Sequence, residues 1–352
     1  MKKLKYIPEY LLMIIILSLF LNSCNNDNPV TSLSPDQLYD YDSARFDWDV
    51  DTLYGGGYYF GWPKDTNDVF VTNVFTNRLY RIRDHVATFT QYPQNIRLGV
   101  ATGDESNNGF IVALELIGSL WQPYFAKFNG NGFVNIPNPQ NLNRNFYFNA
   151  VKIKNENEMW IGANGFIVNF DGTNLSTYPL EDSTTKGLEF FYDENNQFKL
   201  LASIHHLDTD NTEFIIYQFN GTQWIKVFND LEFTRPLKYN ILNKYVSANN
   251  LYVIFELVDS VLVPKITMSP VVSEFSMGGF SFDNIMVPST ILVNEQIASL
   301  FHWNGSKWSL ELSGFHLNPD TQVIMINENY YYVLSYDDLG FTFLMQGRKK
   351  LF

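Results

Sequence analysis

A chain of 352 residues with 45% hydrophobic and 16% aromatic side chains is long enough to bury a sizeable core, and its formal charge of −13 argues against nucleic acid or an anionic membrane surface as a partner. Only 17% of the residues are charged, and the wealth of Phe and Tyr points to strands. A single cysteine excludes an internal disulfide framework.

The chain opens with Lys2, Lys3 and Lys5, followed by an apolar run from Leu11 to Leu21 broken only by Ser18. That run is too short to cross a bilayer as a helix, which needs about 20 residues, so it reads as an export leader. It ends at Leu21-Asn22-Ser23-Cys24, which resembles the lipobox of bacterial lipoproteins, with Asn22 in place of the usual small residue. The resemblance implies cleavage before Cys24, acylation of its thiol and of the new N-terminus, and a lipid bilayer as partner through that anchor. It also implies a cell-envelope location, on the outer membrane of a bacterium with two membranes. Residues 1–23 are then signal peptide, 24–42 a polar tether containing Pro29 and Pro35, and 43–352 the body. Removing the leader takes away three lysines and one glutamate, and the remaining 329 residues carry a formal −15.

From residue 66 onward a turn recurs between hydrophobic runs. Strong copies are Asn155-Glu156-Asn157, Glu194-Asn195-Asn196, Ala248-Asn249-Asn250 and Asn327-Glu328-Asn329; weaker ones are Thr66-Asn67-Asp68, Asn107-Asn108-Gly109 and Pro288-Ser289-Thr290. From Asn67 to Asn329 the successive gaps are 41, 49, 39, 54, 39 and 40 residues. A strand-rich period near 40 residues is the mark of a β-propeller. A second marker shares the period: Phe128-Asn129-Gly130, Phe170-Asp171-Gly172, Phe219-Asn220-Gly221 and Trp303-Asn304-Gly305. The expectation is one all-β propeller of about seven four-stranded blades, with six or eight as alternatives, the Asn-rich turns joining one blade to the next. Asn164-Gly165 and the Asp-Gly pairs read as tight type I′ hairpins. The last unit lacks a strand, and Gly57–Trp62 is expected to supply it and close the ring, removing two exposed sheet edges.

The unit Met159-Trp160-Ile161-Gly162-Ala163, followed by Phe170-Asp171-Gly172, resembles the repeats of two-component-regulator-type and related lipoprotein propellers. That family is a scaffold class, so the resemblance implies a fold and no catalytic residues.

Alternate turns of an up-and-down blade share a rim. One rim therefore carries short uniform turns, and the other the variable connections Ile117–Pro123, His205–Thr212, Asn229–Leu237, Ser313–Asp320 and Ser335–Gly340. Binding residues concentrate on irregular loops held by a rigid scaffold, which favours the second rim. There Trp121 offers a stacking platform, as Trp48 and Trp62 do elsewhere, and His205, His206, Asp208 and Asp210 form the densest set of polar ligands. Adjacent histidines on a strand point to opposite sides, so a polar hairpin explains this set better than zinc or calcium does. Asp337-Asp338 reads as a charged turn. With no nucleophile elbow, phosphate loop or paired-histidine helix motif, the expected role is a non-enzymatic, monomeric binding or scaffold module for protein or glycan, with no cofactor. The alternatives are an extracellular polysaccharide hydrolase or lyase and a periplasmic sensor domain.

Overall fold

Short apolar runs separated by Asx-rich turns leave little room for helix. The computed structural model is all-β among its described residues, which are 39–40, 44–54, 59–137, 142, 144–193, 195–206, 211–234, 239–242, 245–248, 253–258, 261–267, 278–281, 284–293, 296–314, 317, 321–336 and 341–350. Cys24, the leader and most of the expected tether lie outside them.

After β1 (Tyr39–Asp40) and β2 (Phe46–Tyr54), the strands run in antiparallel meanders. The first holds β3 (Tyr59–Asp65), β4 (Asp68–Asn73), β5 (Arg78–Arg83) and β6 (Val86–Gln91), and the second β7 (Ile96–Gly103), β8 (Gly109–Ile117), β9 (Leu120–Phe128) and β10 (Phe133–Ile136). The third holds β11 (Phe148–Asn155), β12 (Glu158–Ala163), β13 (Phe166–Phe170) and β14 (Leu175–Pro179), and the fourth β15 (Lys186–Tyr192), β16 (Phe198–His206), β17 (Asn211–Phe219) and β18 (Trp224–Thr234). The fifth holds β19 (Tyr239–Leu242), β20 (Tyr245–Ala248), β21 (Val253–Val258) and β22 (Val261–Thr267). The sixth holds β23 (Gly278–Ser281), β24 (Asn284–Val293), β25 (Gln296–Trp303) and β26 (Trp308–Ser313), with β1 added in parallel beyond β26. β27 (Gln322–Asn327), β28 (Tyr330–Tyr336) and β29 (Phe341–Lys349) form the last sheet, whose outer strand is β2. Among the described residues, six sheets have four strands and one has five.

Three expectations need correction. Gly57–Trp62 does not complete the last sheet. Tyr59–Asp65 is the first strand of its own meander, and the added strand is β2, paired over nine residues from Phe46 opposite Lys349 to Tyr54 opposite Phe341. The reason is burial: Phe46 and Leu53 sit in apolar clusters, whereas Trp62 is needed between the first two sheets. Next, the Asn-rich turns lie inside sheets. Asn155-Glu156-Asn157 joins β11 to β12, and Leu188–Tyr192 belongs to the following sheet. Finally, Pro288-Ser289-Thr290 lies within β24 at a register shift, while Asn249 and Asn250 lie outside the described residues.

The repeated turns share one device. The side-chain oxygens of Asp65, Asp104, Asn155, Asp193 and Asn327 each accept the N–H two residues on, at 2.8–3.0 Å. In the second marker, Asn129, Asp171, Asn220 and Asn304 accept from both the second and third residues on. These four are four-residue loops with only the glycine at positive φ, so they are not type I′ turns. Both central residues have positive φ in Asp84-His85, between β5 and β6, which contains no glycine.

Neighbouring sheets pack face to face. Trp62 of β3 lies against Gly103 and Gly109 of the next sheet, where an added Cβ would come within 3 Å of the indole, and its Nε1 donates to Asn107 Oδ1 at 2.9 Å. Similar apolar clusters join the second sheet to the third, the third to the fourth, and the sixth to the last. The last sheet also meets the first: Tyr332, Leu334 and Leu344 pack with Val69, Val71 and Ile82, and Tyr332 donates its hydroxyl to Thr66 O at 2.8 Å. The architecture is propeller-like.

Candidate functional site

The two ends of the sheets differ. At one end Gly172 sits directly against Asn157, so the β11–β12 and β13–β14 turns are neighbours, and the gaps between strands there are two to five residues. At the other end Gly165 donates to Thr185 O at 2.7 Å and accepts from Leu180 N at 2.9 Å, which places the β12–β13 turn beside the crossover to the next sheet. Gaps at this end run from two residues, at 118–119, to eleven, at 137–147. Asx turns standardise the first rim, and the second rim varies.

Trp121 lies on the variable side in β9, half-buried against the core cluster of the second and third sheets. Its N–H donates to Asn145 Oδ1 and its carbonyl accepts from Phe146 N, both at 3.0 Å. Buried Gln122 adds bonds to Arg144 O at 3.2 Å and from Leu142 N at 2.6 Å, so this pair fastens the longest crossover to the sheet. His205 and His206 end β16, opposite Thr212 and Asn211. His206 Nε2 is 3.3 Å from Glu213 Oε2, whose other oxygen is 3.5 Å from Lys226 Nζ, a cross-strand ladder. The His205 side chain, Asp208, Asp210 and Asp337-Asp338 lie outside the described residues. Trp121 and His206 stand on different sheets, and no contact joins them among the described residues. Of the other tryptophans, Trp62 is buried and Trp48 packs against the core near the last sheet. Among the described residues no group of three His, Cys, Asp or Glu side chains is placed to hold a metal ion, and no helix is long and apolar enough to cross a membrane.

A residue that the repeat pattern did not single out stands on an edge strand of the fourth sheet. Glu189 follows a register shift at Leu188 in β15, an edge strand of its sheet. Protein encloses it while part of its surface still meets solvent, and loss of hydration pushes its carboxyl from the ordinary 4.5 up to about 7, with Lys152 of β11 opposing the shift. A carboxyl poised near neutrality on an edge strand is a candidate proton carrier. The signal in the sequence was a lone Glu inside Gly187-Leu188-Glu189-Phe190-Phe191, indistinguishable from an outward-facing strand position.

The sign of the linkage is testable. Between pH 4.5 and about 7 the folded chain holds a proton at Glu189 that the unfolded chain has released, so this group costs stability as pH rises through that window. The full cost, reached above pH 7, is about 3 kcal/mol. Glu189→Gln removes it: the variant should melt above wild type at pH 8 and level with it near pH 4. A difference that stays constant with pH would refute the shift.

No family model matches the chain, and no curated protein matches it. Among solved structures, a chain from the crystal structure of BBS1N in complex with ARL6DN is similar over 88% of this chain and 97% of its own, with a TM-score of 0.55 at 8% identity. A structural genomics protein of unknown function from Bacteroides thetaiotaomicron matches over 87% of this chain and 76% of its own, with a TM-score of 0.49 at 12% identity. The extracellular domain of a one-component system from B. thetaiotaomicron matches over 76% of this chain and 44% of its own, with a TM-score of 0.33 at 10% identity. At these identities the likeness concerns the fold alone.

Proposed function

We propose that this chain is a lipid-anchored binding module of the cell envelope: the seven sheets are the blades of one closed ring, Cys24 carries the anchor, and the variable rim receives a protein or glycan. The observation that carries the reading is the asymmetry of the rims, in which side chains standardise one set of turns while crossovers of four to eleven residues crown the other. Support for closure comes from the apolar cluster between the last and first sheets and from β2, which covers the outer edge of β29. A ring of this kind holds loops still, which keeps the ordering cost of binding low.

The mature chain from Cys24, screened on a glycan array and in envelope pull-downs, should retain a ligand. Arg144→Ala and His206→Ala, on the variable rim, should weaken retention at least tenfold, while Asn220→Ala on the uniform rim should not. Retention unchanged by the first two would move the working face. Cys24→Ala should abolish metabolic palmitate labelling, and persistent labelling would end the anchor assignment.

One observation favours a second reading, hydrolysis within the ring: Glu189 stands near Lys152 with its carboxyl titrating close to neutrality. Turnover of an envelope polysaccharide that disappears in Glu189→Gln would select it.

A further inference from the structure

The outer edges of these sheets are protected, with one exception. β29 is covered by β2 and β26 by β1. β10 is four residues long and meets Pro137, β14 ends in Pro179, β22 contains Pro264 and Lys265, and β18 carries Lys226, Asp230 and Glu232. Short strands, prolines and charges are the usual means by which edges escape pairing with other chains. β6 has none of them. Its six residues, Val86-Ala87-Thr88-Phe89-Thr90-Gln91, are uncharged and exposed throughout.

The register shows which groups are free. A two-residue turn closes the β5–β6 hairpin, so Arg83–Val86, Arg81–Thr88 and Leu79–Thr90 are the pairs that exchange main-chain bonds, in step with Tyr92 N–H donating to Asn77 O at 3.1 Å. Ala87, Phe89 and Gln91 therefore turn their N–H and C=O groups outward.

Arginines stand near both ends of this edge, Arg78 opposite Gln91 and Arg83 opposite Val86, on opposite faces of the sheet. The Arg78 guanidinium lies 4.4 Å from the centre of the Phe89 ring, its Nε donates to Gln91 Oε1 at 3.1 Å, and it has no carboxylate partner among the described residues. Arg83, Arg81 and Lys64 share the one carboxylate of Asp68. In a chain of formal charge −13, this edge has an arginine at each end.

We propose that β6 is a strand-addition site for an acidic, extended segment of another polypeptide, which pairs with the outward groups of Ala87, Phe89 and Gln91 and sets its carboxylates against Arg78 and Arg83. The surface is a strand edge rather than a loop, and it reaches the variable rim only at Arg78 and Gln91. A second copy fits poorly, because edge-to-edge pairing would bring two strongly negative chains together.

The test uses the mature chain and two labelled peptides, Glu-Val-Thr-Val-Thr-Val-Glu and the same sequence with Lys at both ends, read by fluorescence anisotropy. The acidic peptide should bind at least tenfold more tightly than the basic one, and the preference should shrink with added salt. Ala87→Pro deletes an outward N–H without touching the β5 ladder, and should lower acidic-peptide affinity tenfold or more while the melting temperature stays within a few degrees. Should that variant fold poorly, Ala87→Glu keeps the backbone and repels the acidic probe, with the same loss expected. Arg78→Ala should reduce the acidic preference several-fold. Equal binding of the two peptides, or binding that survives Ala87→Pro and Ala87→Glu, would overturn the proposal. So would a wild-type dimer in sedimentation that Ala87→Pro dissolves, since a second copy would then own the edge.

Discussion

Asp68→Ala should cost about 3 kcal/mol of stability, among the largest single effects expected for a polar position in this chain. The Asp68 side chain is 4% exposed at the first position of β4, and Arg81 grips it with two bonds, Nε to Oδ1 at 2.8 Å and a terminal nitrogen to Oδ2 at 2.6 Å. Arg83 adds a bond at 2.8 Å and Lys64 one at 3.3 Å. Arg81 is also held over Phe70, with its guanidinium carbon 5.0 Å from the ring centre, so it cannot follow the lost charge into water without giving up that packing. Removing the carboxylate leaves a half-buried guanidinium and two further cations without their shared acceptor. The asymmetry between partners makes the claim checkable by denaturant titration. Arg83 is 53% exposed, so Arg83→Ala should cost under 1 kcal/mol. Asp68→Asn, which keeps one acceptor and loses the charge, should fall between. Equal losses for Asp68→Ala and Arg83→Ala would mean that the buried carboxylate is not what organises this corner.

The architecture was legible because its repeat is written in turn chemistry. An Asn or Asp whose side chain closes its own turn lets two strands reverse within a few residues, and five such turns start at 65, 104, 155, 193 and 327. Turn spacing alone does not say which strands a turn joins, so the frame was taken one strand out. Pro288-Ser289-Thr290 misled for a related reason: a bulged strand and a turn use the same residue types. The closing strand was assigned elsewhere because Phe46-Asp47-Trp48-Asp49-Val50-Asp51 carries no turn marker, although its alternation of apolar and acidic residues is that of a strand with Phe46 buried and Trp48 partly so. Of the candidate site, the rims could be inferred from loop lengths. Trp121 reads equally as platform or packing until its bonds to the 137–147 crossover are seen. Glu189 acquires its meaning only from neighbours distant in sequence, such as Lys152 on another sheet.

Glu311→Ala should release the N-terminal strand. The Glu311 side chain is fully enclosed in β26, where it accepts the backbone N–H groups of Arg45 at 2.7 Å and Phe46 at 3.0 Å, together with the Ser309 hydroxyl at 2.5 Å. Phe46, the first residue of β2, stands edge-on to His302 and to Tyr331, with ring centres 5.3 Å apart in each pair. Burial holds His302 neutral, lowering it to about 4, and its Nε2 lies 2.8 Å from Asn284 Oδ1, which also accepts from the Tyr331 hydroxyl. Without the carboxylate, two N–H groups at the entrance of β2 lose their acceptor inside the protein, at a cost of about 1–3 kcal/mol each. The total, about 3 kcal/mol, falls on the segment that covers β29, so local opening should precede global unfolding. Limited proteolysis should then cut within 44–54 at conditions where wild type resists, and Glu311→Gln, which keeps one oxygen acceptor, should fall between. A deletion pair gives the independent check: removing residues up to 38, which keeps β1 on β26, should leave the body folded, whereas removing residues up to 54 should bare the edge of β29 and cause aggregation. Equal thermal stability of the two truncations would show that β2 is not the strand that completes the last sheet in solution.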